Sequence, residues 1–240
     1  MKLDFKHIIL LGFLLFLNTL GAFADDYPTI DVTCTFTDAD GNESSDNNFS
    51  GSAPVTASFM AGATYSGNWT ANFKWCFYID KDTVPYITRY EEDTKYTFNT
   101  AGTHRIVLYA TFTKDGQTYE LSNEDNPIYV TVSESKLEMP NAFSPNGDGI
   151  NDEYQAKNGY QSIVEFQACI FNRLGQKIYE WTNPAKGYGW DGTFHGKPAK
   201  EGVYFVLVKA KGADGRVFNI KKDVNLLRGY DESSSTTSNE

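Results

Sequence analysis

The amino-acid sequence predicts an all-β protein made of two consecutive antiparallel β-sandwiches. Short runs of β-branched and aromatic residues alternate with polar ones and are separated by Gly, Asn, Asp and Pro, a pattern typical of strands joined by turns. No segment of useful length follows a helical period. Aromatic residues make up 15 % of the 240 residues, too many for a chain that stays unfolded.

The N-terminus has the three parts of a secretory signal peptide. Lys2 and Lys6 precede the apolar run Ile8–Leu17, and Ala22 and Ala24 form a small-x-small ending. The alternative, a membrane anchor, needs about 20 apolar residues, and this run is much shorter. We therefore expect cleavage after Ala24 and an exported mature chain without a transmembrane segment.

The first sandwich is predicted from about seven short strands within residues 25–135. Phe73–Ile79 shows the alternation well, with Trp75 on the apolar face and Cys76 on the opposite face. Seven short strands in about 100 residues are typical of an immunoglobulin-like sandwich.

The second sandwich is predicted within residues 136–229, after the polar connection Ser133–Glu138. Two antiparallel pairs are expected, one turning at Asn172–Gly175 and the other at Asp214-Gly215, because Gly supplies the positive φ that such hairpin turns need. The polar segment 230–240 has no apolar period, and we expect it to be disordered.

Charge and composition exclude several functions. The chain has 21 Lys+Arg against 31 Asp+Glu, a net charge of −10, and no basic cluster, so we expect no nucleic-acid partner. It has only three His and three Cys, no His-Glu-x-x-His motif and no phosphate loop. The two carboxylates of a glycosidase would escape a motif search, but a sandwich of about 110 residues leaves little room for a substrate cleft. We therefore expect no enzyme.

Four motifs occur in order in the second block: MPNAFSPNGDGINDEY from Met139, FNRLGQKIYE, GWDGTFHGKPAKEGVYFVLVKA and DVNLLRG. Together they closely resemble the gliding-motility-associated C-terminal domain of Bacteroidetes, which is the type B sorting domain of the type IX secretion system. The resemblance covers about residues 137–229. The matching positions are Pro140, Asn141, Phe143, Pro145, Asn146, Gly147, Asp148, Gly149, Asn151, Asp152, Gly175, Trp190, Asp191, Gly192, Gly202, Tyr204 and Arg228.

The resemblance implies a route and partners. A signal peptide would take the protein to the periplasm, and the outer-membrane translocon would recognise the sorting domain. The protein would then reach the cell surface or the medium. Its expected partners are the translocon and the attachment complex, with a surface glycan or lipopolysaccharide as further candidates. Family members usually end near the arginine that matches Arg228, whereas this sequence continues to residue 240, which leaves its processing open.

The loop that opens this domain is dense in oxygen donors. Asn146, Asp148, Asn151 and Asp152 lie within seven residues, and such oxygens are the ligands that Ca²⁺ prefers. Their spacing does not fit an EF-hand. The alternative is a network of Asx turns that stabilises the loop through backbone hydrogen bonds. The sequence leaves both interpretations open.

Trp190-Asp191-Gly192 has two interpretations as well. Trp190 would be either an aromatic binding platform or a large side chain that closes one end of the sandwich, while Asp191-Gly192 turns the chain. A domain of about 90 residues needs large aromatic residues in its core, which favours packing.

The first block resembles immunoglobulin-like modules of the polycystic-kidney-disease type, through Asn72–Tyr78, TKYTFNTAGTHRIVLYATF and IYVTV. Such modules act as spacers or ligand-binding units. Cys34 and Cys76 both lie in this block, and an exported protein can keep a disulfide. A bridge between them is one of two open expectations, and we expect Cys169 to be a buried inert thiol.

The sequence therefore predicts a protein exported by the type IX system, with the first domain as a small binding or structural cargo. The alternative is a retained accessory subunit of the secretion or attachment machinery.

Overall fold

The computed structural model describes residues 27–229; the expected signal peptide and the segment 230–240 lie outside the described residues. Within that range the protein is all-β, and none of the described residues forms a helix that could cross a membrane. The strands are β1 Thr33–Thr37, β2 Glu43–Ser44, β3 Asn48–Gly51, β4 Val55–Met60, β5 Thr70–Ile79, β6 Ile87–Arg89, β7 Thr94–Phe98, β8 Gly102–Lys114, β9 Gln117–Ser122, β10 Ile128–Val132, β11 Ala142–Phe143, β12 Ile163–Phe171, β13 Lys177–Trp181, β14 Thr193–Phe194, β15 Lys197–Pro198, β16 Gly202–Gly212 and β17 Val217–Leu226.

Two facing sheets form the first domain. One has the order β2-β1-β4-β7, and the other has the order β3-β10-β8-β5-β6. The strand β9 pairs with the C-terminal half of β8. Three short strands, β2, β3 and β6, were not expected from the sequence, because runs of two to four residues show too little alternation. β3 pairs with β10 in parallel, so the domain is not purely antiparallel.

The core of the first domain lies between its sheets. Phe59 is fully buried, and its ring contacts four others, those of Phe36, Trp75, Phe77 and Phe98, at centroid distances of 5.6–6.4 Å. Close aromatic packing of this kind combines large buried area with favourable ring geometry. The predicted inward face of β5 is confirmed, since Trp75 and Phe77 have no exposed surface.

The second domain contains one five-stranded sheet, in the order β11-β17-β16-β12-β13, and the small β14–β15 hairpin. β11 pairs with β17 in parallel, so this domain is not purely antiparallel either. Both predicted strand pairs are present, and β16–β17 turns at Asp214-Gly215 as expected. The layer that covers the sheet is mostly irregular chain from the segments 137–160 and 182–200, which supply the buried side chains of Tyr154 and Trp190.

The two domains are joined tightly. The turn between β16 and β17 places Ala213 in the core of the first domain, where the carbonyl of Ala213 accepts a hydrogen bond from the N–H of Ala101 at 3.0 Å. The hydroxyl of Ser162, 1 % exposed, contacts that of Ser133 at 2.8 Å and accepts from the N–H of Ala53 at 3.1 Å. The polar connection is therefore packed between the domains: Ser135 is buried, and its hydroxyl donates to Asp214 at 2.6 Å.

The cysteine expectations need correction. The described cysteines Cys34, Cys76 and Cys169 are all free, so a Cys34–Cys76 bridge is wrong. Cys34 packs in the core between the sheets, whereas Cys76 follows the inward-facing Trp75 and lies on the outer face of its strand with Tyr78. Burial raises the pKa of Cys34 to about 11. Cys169 is only half-buried, because it lies on the open face of its sheet.

Candidate functional site: the sorting-motif cluster

Arg228 lies at the centre of the positions that match the sorting motif. It follows the end of β17, and its guanidinium donates to three backbone carbonyls: those of Gly192 at 2.6 Å, Pro145 at 3.1 Å and Ala199 at 3.3 Å. Pro145 lies in the loop 144–152, and Gly192 and Ala199 flank the β14–β15 hairpin, where the N–H of Ala199 also donates to the carbonyl of Gly192 at 2.9 Å. Arginine suits this position because its planar fork offers five donors in fixed directions.

Gly192 is required where the chain passes Arg228. Its φ is +76°, in the left-handed region, and an added Cβ would lie 2.8 Å from Pro145 Cγ and 3.2 Å from a guanidinium nitrogen of Arg228. The preceding Asp191 fixes the turn by accepting from the N–H and hydroxyl of Thr193 at 2.9 and 2.8 Å. Asp191 and Gly192 therefore both determine the path of the backbone at this turn.

Trp190 is a core residue and not an exposed platform. It has no exposed surface, its indole N–H donates to the carbonyl of Thr193 at 2.7 Å, and its ring contacts Tyr204 at 4.9 Å and Phe143 at 5.2 Å. The hydroxyl of Tyr204 donates to the carbonyl of Lys200 at 2.7 Å. The motif aromatics therefore pack the irregular layer onto the sheet.

The start of the motif is tied to the last strand. The carbonyl of Asn141 accepts from the N–H of Asn225 at 2.9 Å, and the carbonyl of Phe143 accepts from the N–H of Leu227 at 3.1 Å. The Lys222 ammonium donates to the carbonyl of Met139 at 2.9 Å and to the side-chain oxygen of Asn141. Partial burial lowers the pKa of Lys222.

The loop 144–152 is organised by the hydrogen bonds of its own carboxylates. Asp152 accepts from the N–H groups of Gly147 at 2.7 Å and Gly149 at 2.8 Å, and these bonds lower its pKa. Asp148 accepts from the N–H of Ile150 at 2.8 Å and from the side-chain amide of Asn146 at 3.0 Å.

These bonds are those that the Asx-turn interpretation requires. Asn151, at a φ of +52°, returns the chain so that its carbonyl accepts from the N–H of Ser144 at 2.9 Å. Among the described residues no group of three or more His, Cys, Asp or Glu side chains is arranged to hold a metal. Calcium binding by Asn146, Asp148, Asn151 and Asp152 stays a prediction.

Two motif glycines lie away from Arg228. Gly175, at a φ of +76°, closes the β12–β13 turn with nothing near its Cβ position. Gly202, at a φ of +133°, begins β16, and an added Cβ would lie 2.9 Å from the guanidinium of Arg173.

Sequence reasoning missed several members of the cluster. Tyr154 is fully buried, and its hydroxyl donates to the carbonyl of Pro140 at 3.1 Å. Glu201 accepts from the N–H groups of Arg228 and Gly229, the latter at 3.0 Å. Tyr154 ends the first motif and could have been found there, but nothing in the local pattern of Glu201 indicates its distant partners.

The two described histidines have structural surroundings. His104 is buried, with one ring nitrogen 2.9 Å from the Tyr86 hydroxyl and the other 2.9 Å from the carbonyl of Thr100. Burial lowers the pKa of His104. His195 lies in the β14–β15 turn, with its ring 4.0 Å from that of Phe194.

Comparison with known proteins agrees with this organisation. Residues 137–223 match the family model described as the CHU_C type IX secretion signal domain. The expected sorting domain is therefore confirmed over that range, and it supports export to the cell surface or the medium through the type IX system. No curated protein matches the chain.

Two solved structures are among those that match this chain. One is the tetra-tandem repeat in the extending region of a large adhesion protein, with 12 % identity and a TM-score of 0.27, covering 85 % of this chain and 68 % of that chain. The other is the FN1-FN3 region of chicken CNTN1, with 11 % identity and a TM-score of 0.23, covering 75 % and 71 %. These scores are too low to support an argument about function.

Proposed function

We propose that this protein is a cargo of the type IX secretion system, with residues 136–229 as its address and residues 25–135 as a binding or structural module displayed outside the cell. The observation that carries the proposal is the agreement of the family match with one folded cluster. The matched segments 139–154 and 190–204 come together around Arg228 and the last strand. The address would thus be a folded surface and not a linear peptide.

The surroundings of the histidines support a role without catalysis. Both ring nitrogens of His104 face fixed protein oxygens, and the shifted pKa favours its neutral form, so it is poorly placed to exchange protons with a substrate. The partners we propose are the outer-membrane translocon and the attachment complex for the second domain, with a surface glycan or lipopolysaccharide as a further partner of the exported protein.

Retention of the sorting domain after export is favoured by the joint between the domains. Removing the second domain would withdraw Ala213 from the core of the first and would leave the N–H of Ala53 without the Ser162 hydroxyl. Ser135 and Leu137, in the connection a protease would have to cut, are buried. This arrangement also suits the alternative function, a retained subunit of the secretion or attachment machinery.

Deletion of residues 137–240 tests the export proposal in a strain with an intact type IX system. We expect the truncated protein to accumulate in the periplasm while the full chain appears outside. Leu174→Ala in the full chain is the matched control, because Leu174 is 91 % exposed and its truncation should leave export unchanged. Finding the truncated protein outside cells that lack the translocon would contradict the proposal.

Mass spectrometry of the exported protein separates retention from cleavage. A retained sorting domain gives peptides from both domains in equal amounts and one intact mass. A product that ends between residues 133 and 138 would contradict retention. Stoichiometric translocon or attachment subunits that co-purify with the intact protein would favour the accessory-subunit alternative over plain cargo.

A further inference from the structure

Exposed aromatic side chains gather at the end of the first domain that points away from the sorting domain. Tyr27, Tyr65, Trp69 and Tyr119, which we call the tip patch, surround the far ends of β5, β8 and β9. The opposite end of β8 lies next to the joint between the domains, where the N–H of Ala101 donates to the carbonyl of Ala213. Because β8 has 13 residues, the patch lies about 40 Å from the joint.

Ring contacts and backbone hydrogen bonds hold the three tyrosines of the patch in place. Tyr27 and Tyr119 have ring centroids 5.6 Å apart, and Tyr65 lies 5.3 Å from the buried ring of Phe112. Phe112 is the direct cross-strand neighbour of Tyr119, so both tyrosines rest on one buried floor. Paired backbone hydrogen bonds of 2.9 Å between Thr29 and Thr64 hold the segment of Tyr27 beside that of Tyr65.

The rings remain accessible although they rest on the core. Tyr27 is 59 % exposed, Tyr65 39 % and Tyr119 37 %, whereas Trp69 is half-buried with the Lys114 ammonium 5.5 Å above its ring. At 150–250 Å² per aromatic side chain, the three tyrosines offer roughly 300 Å² of accessible surface. The largest apolar patch on a typical monomer covers about 300–600 Å² and is often functional, and this patch lies at the lower end of that range.

Most of the polar residues around the rings are uncharged. The loop 61–69 consists of Ala, Gly, Thr, Tyr, Ser, Asn and Trp, with no charged residue, in a chain in which 22 % of residues are charged. In the facing turn the charged residues are Lys114 and Asp115, which have opposite signs. Rigid aromatic anchors among Ser, Gly and Asn are the composition of binding surfaces that use flat contacts and adaptable hydrogen bonds.

We propose that the tip patch binds a neutral glycan. Sugar rings present C–H faces that pack on aromatic rings, and hydroxyls that pair with the surrounding amides and hydroxyls. The uncharged loop gives no complement to an ionic ligand. A stable protein partner would need about 800 Å² per side, more than twice what the patch offers.

The inference rests on the proposed function, because it supplies the ligand class for the displayed module. It also assigns a function to the placement of the patch and the sorting domain at opposite ends of the molecule. The address lies at one end of the molecule, and the patch at the other end, so a protein held at the surface through its second domain would present the patch outward.

Affinity electrophoresis of the purified mature chain tests the inference with named probes. Native gels would contain hydroxyethylcellulose, xyloglucan, galactomannan or laminarin, with the anionic polysaccharide alginate and the protein casein as comparisons. We expect retardation by at least one neutral polysaccharide and none by alginate or casein. Tyr119→Ala and Tyr65→Ala should each weaken that binding about tenfold, equivalent to about 1.4 kcal/mol.

Tyr90→Ala is the matched control, since Tyr90 is 72 % exposed but lies outside the patch, and it should leave retardation unchanged. The inference is overturned if no neutral polysaccharide retards the chain, or if the tyrosine variants bind as the parent does. Retardation by casein alone would indicate a protein partner in its place, and a dimer in sedimentation velocity that Tyr65→Ala dissociates would indicate self-association instead. Because binding is measured on purified protein, a negative result leaves the export proposal untouched.

Discussion

The two domains both bury aromatic residues but are held together in different ways. In the first, two sheets face each other, and Phe59 packs among four other rings in a continuous core. In the second, one five-stranded sheet is covered by the small β14–β15 hairpin and by irregular chain, whose backbone carbonyls accept hydrogen bonds from Arg228, Lys222 and Tyr154. They also differ in charge: residues 27–136 have 7 Lys+Arg against 15 Asp+Glu, and residues 137–229 have 12 against 10.

This difference explains why the second domain carries four motifs that a family model matches, whereas the first domain carries only a looser resemblance. A sandwich core accepts many combinations of apolar residues of suitable volume. Irregular chain needs particular donors and particular glycines, because each carbonyl must find a partner and each turn needs its φ. The motifs of the second domain therefore consist of the donors and glycines that its irregular backbone requires.

Arg228→Ala should have the largest effect of any single substitution in the second domain that we predict. Three carbonyls lose a charged donor, and a hydrogen bond to a charged group contributes about 1.5–3 kcal/mol. Because Arg228 is only half-buried, water replaces part of these bonds in the variant, and we expect a net loss of about 3 kcal/mol. Urea unfolding of the full chain, with hydrogen exchange to assign the loss to residues 137–229, measures it. Arg173→Ala, at an exposed site, is the control. Equal stability of the two variants would contradict the tied-backbone account.

Calcium binding would distinguish the two domains further, because the ion would stabilise the loop of the second domain only. If Asn146, Asp148, Asn151 and Asp152 bind the ion, free calcium at 100 times its Kd should stabilise the second domain by about 2.7 kcal/mol. Melting in EGTA and in millimolar CaCl₂ measures the shift, and Asp148→Ala should abolish it. A melting temperature indifferent to calcium would leave the loop as a turn network.

Gly192→Ala separates steric contact from backbone strain. We expect a loss of about 2 kcal/mol, of which roughly half is the left-handed φ and the rest the contacts of Cβ with Pro145 and Arg228. Gly175→Ala is matched at the same φ of +76° with open space around it, and should lose only about 1 kcal/mol. Chemical denaturation of both variants gives the difference, and equal losses would mean that the approach to Arg228 is not tight.

His104 gives the first domain a small pH dependence. Burial lowers the pKa of His104 in the folded state below its unfolded value of 6.5. The neutral side chain therefore makes its full contribution to stability above pH 6.5, and this contribution is lost as the pH drops through the folded-state pKa. Melting of the full chain between pH 7.5 and 4.5, followed by exchange in residues 27–135, should show this loss. His104→Gln should flatten the profile between pH 7 and 5. An unchanged profile in that variant would assign the dependence to other groups.

Alternation predicted the long strands, and motif resemblance predicted the second domain. Phe73–Ile79 and Ile163–Phe171 were found because burial on one face leaves a period of two in the sequence. The three short strands of the first domain leave no such period. The joint was missed because Ser133–Glu138 is polar in sequence, and its burial depends on Asp214 and Ala213, about 80 residues away.

Within the candidate site, sequence identified the positions and favoured a packing role for Trp190, which the structure confirms. Only the fold shows which groups the side chains contact, as when Gly192 passes Arg228. The bridge between Cys34 and Cys76 was left open because the alternation puts Cys76 on the outer face without showing which strand or loop lies against it. The packing of the two sheets places the two cysteines in different clusters, Cys34 in the core and Cys76 outside it.

The central claim is that the address is the folded second domain, held in shape by Arg228, and transplantation tests it most directly. Residues 133–240 would be fused behind a signal peptide and a fluorescent reporter in a strain with a type IX system. We predict surface or extracellular fluorescence that is lost without the translocon and reduced by Arg228→Ala, but not by Arg173→Ala. A reporter that stays in the periplasm while the native chain is exported would contradict the claim.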